Sequence, residues 1–145
     1  MPFIYVLISA LLIGIDQIVK SQVVSHLQLG QVNSVISGVF SITRLNNDGA
    51  AWSMLTGQRW LFVVIALVAA AFIIYYLFKF KGQTVYQISL TLLLAGTLGN
   101  LIDRILNGYV VDMFQLDFIN FPIFNCADMF LTVGIIILAI KIVRD

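Results

Sequence analysis

The sequence is poor in residues that many soluble enzymes use. Its 145 residues include one cysteine, one histidine and two prolines, and all seven acidic residues are aspartates. The lone Cys126 cannot form an internal disulfide, and the lone His26 excludes a His-x-x-x-His zinc site. No serine lies in a Gly-x-Ser-x-Gly motif, and the neighbours Lys20 and Ser21 point to different helix faces. These absences exclude a zinc peptidase and give little support to serine chemistry.

Charge is also scarce, whereas long apolar runs are abundant. Charged residues make up 10% of the chain and hydrophobic residues 61%, with a mean hydropathy of +1.02. A soluble domain carries about a quarter charged residues, so the composition predicts an integral membrane protein. The net charge of +1 gives no case for a nucleic-acid partner.

Four apolar segments are each close to the ~20 residues needed to cross a hydrocarbon core. They predict spans over about residues 3–24, 60–78, 84–106 and 126–143, which leave longer loops at about 25–59 and 107–125. The first segment lacks a basic start and a small-residue cleavage pattern, so we expect a retained span and not a cleaved signal peptide. We therefore predict one domain, residues 1–145, with four transmembrane helices.

The basic residues indicate how the spans are oriented. If the spans alternate, one side carries Lys79, Lys81, Lys141 and Arg144, and the other carries Lys20, Arg44, Arg59 and Arg104. The counts are equal, but the first set is more tightly clustered, so we expect it to face the cytoplasm together with both termini. Six aspartates then lie on the outer side, and only Asp145 lies inside.

The two longer loops contain stretches typical of short strands. β-Branched and aromatic residues are concentrated in residues 35–42 and 109–114, and these stretches could pair on the membrane surface. Residues 46–53 have the pattern of a turn followed by a short interfacial helix. Asn47 and Gly49 could be simple turn formers there, and Trp52 would contact lipid headgroups.

Two outer aspartates are the main candidates for chemistry. Asp112 lies in an apolar stretch of the second loop, and Asp128 lies near the start of the fourth span. Burial and a neighbouring carboxylate raise the pKa of such a group, so one member of a pair can stay protonated while the other activates water. Each also has a simpler interpretation. Asp112 could be a solvated loop residue, and Asp128 could belong to a helix start capped by Asn125, which would also fix its position.

The third span carries further polar candidates near its outer end. Gly96, Asn100 and either Asp103 or Arg104 follow one helical face, and Gly96 and Gly99 would permit close helix packing. Asn100 suggests a hydrogen bond between helices. Asp103 with Arg104 fits either an interfacial anchor or an ionic network that holds the two candidate aspartates in place.

The first span contains one acid–base pair. Asp16 and Lys20 have the i, i+4 spacing and the acid-before-base order of an intrahelical ion pair. We expect such a pair by default.

Taken together, five motifs resemble the bacterial lipoprotein signal peptidases, the type II aspartic peptidases that process prolipoproteins. The matching pieces are Asp16-Gln17-x-x-Lys20, Asn47-x-Gly49-Ala50-Ala51-Trp52-Ser53, Gly99-Asn100-Leu101-Ile102-Asp103-Arg104, Gly108-x-Val110-Val111-Asp112 and Phe124-Asn125-x-Ala127-Asp128. Each motif alone is weak. All five in the family's order and spacing, with four spans over a similar length, are highly specific and cover nearly the whole chain.

The resemblance implies a fold and a site. The fold is an all-α polytopic membrane protein with four transmembrane helices, cytoplasmic termini, a small outer-surface β-cradle and a short interfacial helix. The catalytic pair is Asp112 and Asp128 at the outer face, and no metal or other cofactor is needed. The positions implied to support the active site are Asn47, Gly49, Asn100, Asp103, Arg104, Asn125 and Ala127, and Asp16 and Lys20 match the family's first-span motif.

The resemblance also implies a substrate and a location. The family's substrate is a prolipoprotein whose cysteine already carries diacylglycerol, and cleavage just before that cysteine frees the signal peptide. The expected partners are this precursor and membrane lipid, for a monomer in the bacterial plasma membrane. One alternative is a non-catalytic small transporter or assembly factor, whose aspartates would serve ion passage or partner pairing. Another is an aspartic intramembrane peptidase that cuts other membrane segments.

Overall fold

The protein is described from a computed structural model, and the description covers residues 2–144. Met1 and Asp145 lie outside the described residues, and so does the prediction that Asp145 is the one inner aspartate. The helices are α1 (Pro2–His26), α2 (Arg59–Lys79), α3 (Thr84–Leu106) and α4 (Cys126–Arg144), and the strands are β1 (Val32–Ile36), β2 (Phe40–Asn47) and β3 (Val110–Leu116). A short 3₁₀ helix occupies Ala51–Ser53.

All four helices are long and apolar enough to cross a membrane, with mean hydropathies from 1.5 to 2.8. Helix α3 has the lowest value, and it packs against the other three helices. Two-thirds (67%) of its span is buried inside the protein, against at most 17% in the others. This central position explains how α3 can carry polar residues, because they face protein and not lipid. The predicted fold of four membrane-spanning helices with a small sheet is confirmed.

Glycines allow α3 to approach its neighbours closely. A Cβ atom on Gly96 would collide with the Ala127 carbonyl oxygen and the Leu131 side chain of α4. A Cβ atom on Gly99 would lie 2.8 Å from the Asp16 carboxylate of α1 and 3.2 Å from Ala127 Cβ. The predicted packing role of Gly96 and Gly99 is therefore confirmed, and it brings α1, α3 and α4 together at one end of the bundle.

The three strands form one antiparallel sheet in the order β1-β2-β3. The stretch 35–42, predicted as one strand, instead comprises the end of β1, a turn and the start of β2, because Gly38 takes a left-handed conformation (φ +71°) that reverses the chain. The predicted pairing with the second loop does occur, since Ile42 lies opposite Phe114. β2 runs on to Asn47, which lies opposite Val110. Asn47 Oδ1 also accepts a hydrogen bond from the backbone N–H of Gly49 at 3.0 Å, so Asn47 ends the strand and forms the predicted turn.

The sheet is fastened to the end of α1. Arg44 on β2 donates from Nη1 to the carbonyl oxygens of Val24 and Leu27, each at 3.1 Å, and these carbonyls have no partner within the helix end. Val23 and Leu27 also pack against Val111 and Met113 of β3 in a small apolar cluster. The sheet therefore lies over the end of the bundle where α3 ends and α4 begins.

Candidate active site

Asp112 lies in the middle of β3 and is only 2% exposed. Its Oδ1 accepts a hydrogen bond from Asn125 Nδ2 at 2.7 Å, and its Oδ2 accepts one from Asn47 Nδ2 at 3.1 Å. The simpler interpretation of Asp112 as a solvated loop residue is therefore wrong. Buried carboxyl groups are usually hydrogen-bonded, and both carboxyl oxygens of Asp112 accept hydrogen bonds.

Asp128 lies in the first turn of α4 and is held by the helix start itself. Asn125 Oδ1 accepts from the backbone N–H of Asp128 at 2.9 Å, while Asp128 Oδ2 accepts from the backbone N–H of Asn125 at 3.1 Å. These reciprocal bonds form a capping box, which confirms the predicted cap. The other oxygen, Oδ1, accepts from Asn100 Nδ2 at 2.8 Å. The cap thus fixes the orientation of Asp128 and leaves it half-buried.

Asn125 links the two carboxyl groups. Its side chain is fully buried, and it contacts Asp112 through Nδ2 while its backbone N–H and Oδ1 bind Asp128. Nδ2 also lies 3.1 Å from Asn100 Oδ1. Every carboxylate oxygen of Asp112 and Asp128 therefore accepts a hydrogen bond from Asn47, Asn100 or Asn125.

The surroundings of Asp112 change its acidity. Burial raises the pKa of Asp112 from 3.8 to about 7, and the nearby charge of Asp128 contributes to the rise. Hydrogen bonds from Asn47 and Asn125 and the charge of Lys20 lower the pKa by smaller amounts. A carboxyl group with a pKa near neutrality can hold a proton or release one at physiological pH, as a general acid must.

Both carboxyl groups open into one pocket of about 370 Å³. Its polar lining comes from the two aspartates together with Asn47, Asn100, Arg104 and Thr132. Its apolar lining comes mainly from residues 121–124, which lead into α4, and from Val110, Met129 and Val133. Phe124 belonged to the fifth motif, whereas residues 121–123 were not predicted site residues, although the run Phe-Pro-Ile-Phe just before the cap is an apolar signal in a loop. The pocket can therefore hold an apolar chain against the two acids.

Arg104 and Gly49 form the rim opposite α4. Arg104 Nη2 donates to the Gly49 carbonyl oxygen at 3.3 Å, and its guanidinium lies 4.8 Å from the centre of the Phe62 ring. The backbone N–H of Gly49 in turn donates to Asn47 Oδ1 at 3.0 Å. Arg104 thereby ties the turn after β2 to α3 and presents a positive charge at the pocket.

Asp103 points away from Arg104 into a buried ionic cluster. Its Oδ2 lies 3.2 Å from Lys20 Nζ, and Lys20 also pairs with Asp16 at 2.8 Å. The predicted intrahelical pair of Asp16 and Lys20 is confirmed, and the cluster extends it to a second helix. Gln17 completes the cluster, because its Nε2 lies 3.2 Å from Asp16 Oδ2 and 3.0 Å from Asp103 Oδ1. Gln17 belonged to a motif, yet it was not among the predicted site residues.

Ala127 takes part through its backbone and its size. Its N–H donates to Asp16 Oδ1 at 2.9 Å, and its methyl group fits against Gly99. All the predicted supporting residues therefore lie in or directly beneath the pocket. Among residues 2–144, no three His, Cys, Asp or Glu side chains come together to form a metal site.

A polytopic membrane fold that holds two hydrogen-bonded carboxyl groups over one apolar pocket is the architecture of a membrane aspartic peptidase. Comparison with known proteins narrows this class. Residues 8–144 match the family model described as signal peptidase (SPase) II. The chain is 50% identical to the lipoprotein signal peptidase of Lactiplantibacillus plantarum over 99% of this chain and 96% of that protein. It is 51% identical to the lipoprotein signal peptidase of Streptococcus pneumoniae over 98% of this chain and 94% of that protein.

A solved structure described as a bacterial membrane enzyme has the same fold. It superposes with a TM-score of 0.93 at 35% identity, over 97% of this chain and 88% of that one. The chain belongs to the signal peptidase II family of aspartic peptidases, whose members remove signal peptides from prolipoproteins. The resemblance inferred from the five motifs is therefore confirmed.

Proposed function

We propose that this peptidase cuts prolipoproteins just before a cysteine that already carries diacylglycerol, and that Asp112 and Asp128 perform the hydrolysis. The observation that carries the assignment is the shared Asn125, which binds both carboxyl groups at the floor of one apolar pocket. A water molecule and a scissile peptide placed in that pocket would meet both acids at once. Positioning of this kind can supply several kcal/mol of the reduction in barrier.

The two aspartates take complementary roles in this mechanism. Asp112 is the more buried, with a pKa raised to about 7, so we assign the shared proton of the resting enzyme to Asp112. Asp128 is half-buried and takes a proton from the attacking water. Asp112 donates to the carbonyl oxygen as the tetrahedral intermediate forms. Asp128 then gives its proton to the leaving amine as the C–N bond breaks, and a hydroxyl group of the intermediate returns a proton to Asp112. Because the pair titrates as a unit, both roles depend on both groups.

The pocket also fits the proposed substrate. Its apolar lining continues along α4 at Met129 and Val133, whose side chains are 47% exposed on the surface that faces lipid. Acyl chains attached to the cysteine could therefore stay in the bilayer while the peptide reaches the acids. Asn47, Asn100 and Asn125 hold the acids in place, and Arg104 supplies a positive charge at the rim.

We further propose that the pocket faces the outside of the plasma membrane and that both termini are cytoplasmic. The basic residues at the pocket end are engaged by protein atoms: Lys20, Arg44, Arg59 and Arg104 contact carboxylates or backbone carbonyls. The basic residues of the other end, Lys79, Lys81, Lys141 and Arg144, are more tightly clustered along the chain, which favours that end as the cytoplasmic one. A monomer suffices, since one chain supplies both acids.

The alternative of a non-catalytic transporter or assembly factor is not favoured. Carboxylates of an ion pathway are expected within the membrane, whereas Asp112 lies on a strand at one end of the bundle. A peptidase that cuts unlipidated membrane segments would use the same two aspartates. The two possibilities are therefore distinguished by whether the enzyme requires a lipidated substrate.

The test is cleavage of a diacylglyceryl-modified precursor by purified protein in detergent. We expect Asp112→Asn and Asp128→Asn each to lower kcat by at least about 1,000-fold, because either change removes a proton-transfer group. Folding is checked by monodisperse elution and thermal unfolding. Near wild-type turnover in either folded variant would contradict the catalytic assignment. Equal cleavage of the same precursor without its lipid would contradict the substrate assignment and favour the general membrane peptidase.

A further inference from the structure

Two of the aspartates outside the proposed catalytic pair, Asp16 and Asp103, bind the backbone directly beside it. Asp103 Oδ2 accepts from the N–H of Val111, the residue before Asp112, at 2.9 Å. Asp16 Oδ1 accepts from the N–H of Ala127, the residue before Asp128, also at 2.9 Å. Each proposed catalytic aspartate therefore follows a peptide group that is anchored to a buried carboxylate.

One ammonium group joins the two anchors. Lys20 Nζ lies 2.8 Å from Asp16 Oδ2 and 3.2 Å from Asp103 Oδ2. It also donates to Asn100 Oδ1 at 3.1 Å, and Asn100 Nδ2 binds Asp128 directly. Through these contacts Lys20 is connected to the peptide on both sides of the site. Lys20 is not one of the described residues that line the pocket. Any effect of Lys20 on the proposed hydrolysis must therefore act through other groups.

The cluster is buried, unlike an ion pair at the protein surface. Asp16 is 0%, Asp103 2% and Lys20 3% exposed. A buried ionic cluster is weak evidence for stability, because apolar residues of similar volume often stabilise a protein as well or better. The charged groups here orient one another, because each carboxylate oxygen of Asp16 and Asp103 has a partner. Gln17 Nε2 also donates to both Asp16 and Asp103.

We propose that Lys20 is a positioning residue which, through Asp16 and Asp103, clamps the backbone before each of the two proposed catalytic aspartates and so sets their spacing. The inference rests on the proposed function of Asp112 and Asp128. It gives the first-span motif a role, since the motif supplies the Asp16, Gln17 and Lys20 that meet at this clamp.

The clamp also contributes to the electrostatics of Asp112. Burial and the charge of Asp128 on α4 raise the pKa of Asp112, whereas the donors Asn47 and Asn125 and the charge of Lys20 on α1 lower it. Arg104 on α3 is the other cation whose charge interacts with Asp112. Removing the ammonium should therefore raise the pKa of Asp112 further and move the alkaline limb of the pH–rate profile to higher pH.

The experiment compares Lys20→Met with Lys20→Arg and with Lys81→Met as the matched control. Lys81 lies in the exposed loop between α2 and α3, far from the site. For Lys20→Met we expect kcat to fall about 100-fold, as for a catalytic geometry displaced by about 1 Å, with KM for the lipidated precursor little changed. The alkaline limb should move to higher pH. Lys20→Arg should restore the wild-type limb, and Lys81→Met should match the wild type throughout.

A second variant covers the case in which Lys20→Met does not fold. The double variant Asp16→Asn/Lys20→Met removes one charge of each sign, and the new amide can still accept the Ala127 N–H. We expect it to fold and to show the same loss of kcat, with a smaller shift of the alkaline limb because the negative charge of Asp16 is removed together with the ammonium. Wild-type kcat with an unmoved pH profile in either folded variant would overturn the clamp. Activity of Asp112→Asn, measured in parallel, would instead overturn the proposed function, so the two failures are distinguishable.

Discussion

The raised pKa of Asp112 predicts that Asp112→Asn destabilises the protein at low pH and stabilises it at high pH. An aspartate ionises at a pKa near 3.8, whereas burial and Asp128 raise the pKa of Asp112 to about 7 in the folded protein. Between these values the folded state binds a proton that the unfolded state has released. The wild type is therefore expected to lose stability as pH rises from 4 to about 7.

The size of this loss follows from the two pKa values. Each tenfold difference in proton affinity corresponds to about 1.4 kcal/mol, so ionising Asp112 costs the folded state up to about 4 kcal/mol by pH 8. Asp112→Asn removes that cost but leaves one amide group facing a donor of Asn47 or Asn125, a mismatch worth about 1–3 kcal/mol at every pH. We therefore expect the variant to be less stable than wild type at pH 4 and more stable at pH 8.

The assay is thermal unfolding of both proteins in the same detergent at pH 4, 6 and 8. The difference between the two curves reports the coupled pair of Asp112 and Asp128, because the other titrating groups are common to both proteins. Asp48→Asn, a change at an exposed aspartate, gives the baseline for replacing a carboxylate by an amide. A difference between wild type and Asp112→Asn that stays constant from pH 4 to pH 8 would refute the assignment of the raised pKa to Asp112.

Two further predictions concern the packing and the cap beneath the pair. Gly96→Leu should lower stability by about 1–3 kcal/mol and abolish cleavage, because its Cβ would collide with the Ala127 carbonyl and push α4 away. Gly14→Ala, at a position where a Cβ meets nothing within 4 Å, should be neutral in thermal unfolding and in turnover. Asn125→Asp should keep the helix cap but lose the donor to Asp112, so kcat at pH 7 should fall about 100-fold while the protein stays folded. Unchanged turnover of that variant would show that the Asn125 donor is dispensable.

Much of the site could be predicted because its residues lie in short motifs with local causes. Asp128 follows Asn125 by three residues, which is the spacing of a capping box, and the structure has that box. The i, i+4 spacing of Asp16 and Lys20 likewise predicted their ion pair. The roles of Asp103 and Gln17 could not be read in this way. Gln17 and Asp103 contact each other across 86 residues of sequence, and spacing along the chain carries no information about such contacts.

The sheet was also only partly predictable from the sequence. The enrichment in β-branched residues predicted extended chain in both loops, but not where the chain reverses. Gly38 decides that point through its left-handed conformation, and the pairing of β2 with β3 then carries Asn47 into the strand beside Asp112. A glycine in a strand-like stretch allows a turn without requiring one.

By itself the sequence determined a membrane protein with four spans and indicated Asp112 and Asp128 as candidate catalytic residues, because hydropathy and motif spacing are local properties. Only the tertiary structure decided that Asn125 holds Asp112 and Asp128 together, that Asp103 turns inward from Arg104, and that one buried Lys20 ties both sides of the site. These contacts join β3, α1, α3 and the start of α4, which meet only when the glycine faces of α3 let the helices close on one another. The raised pKa of Asp112 was also decided by the tertiary structure, since it arises from burial and from Asp128, sixteen residues away along the chain.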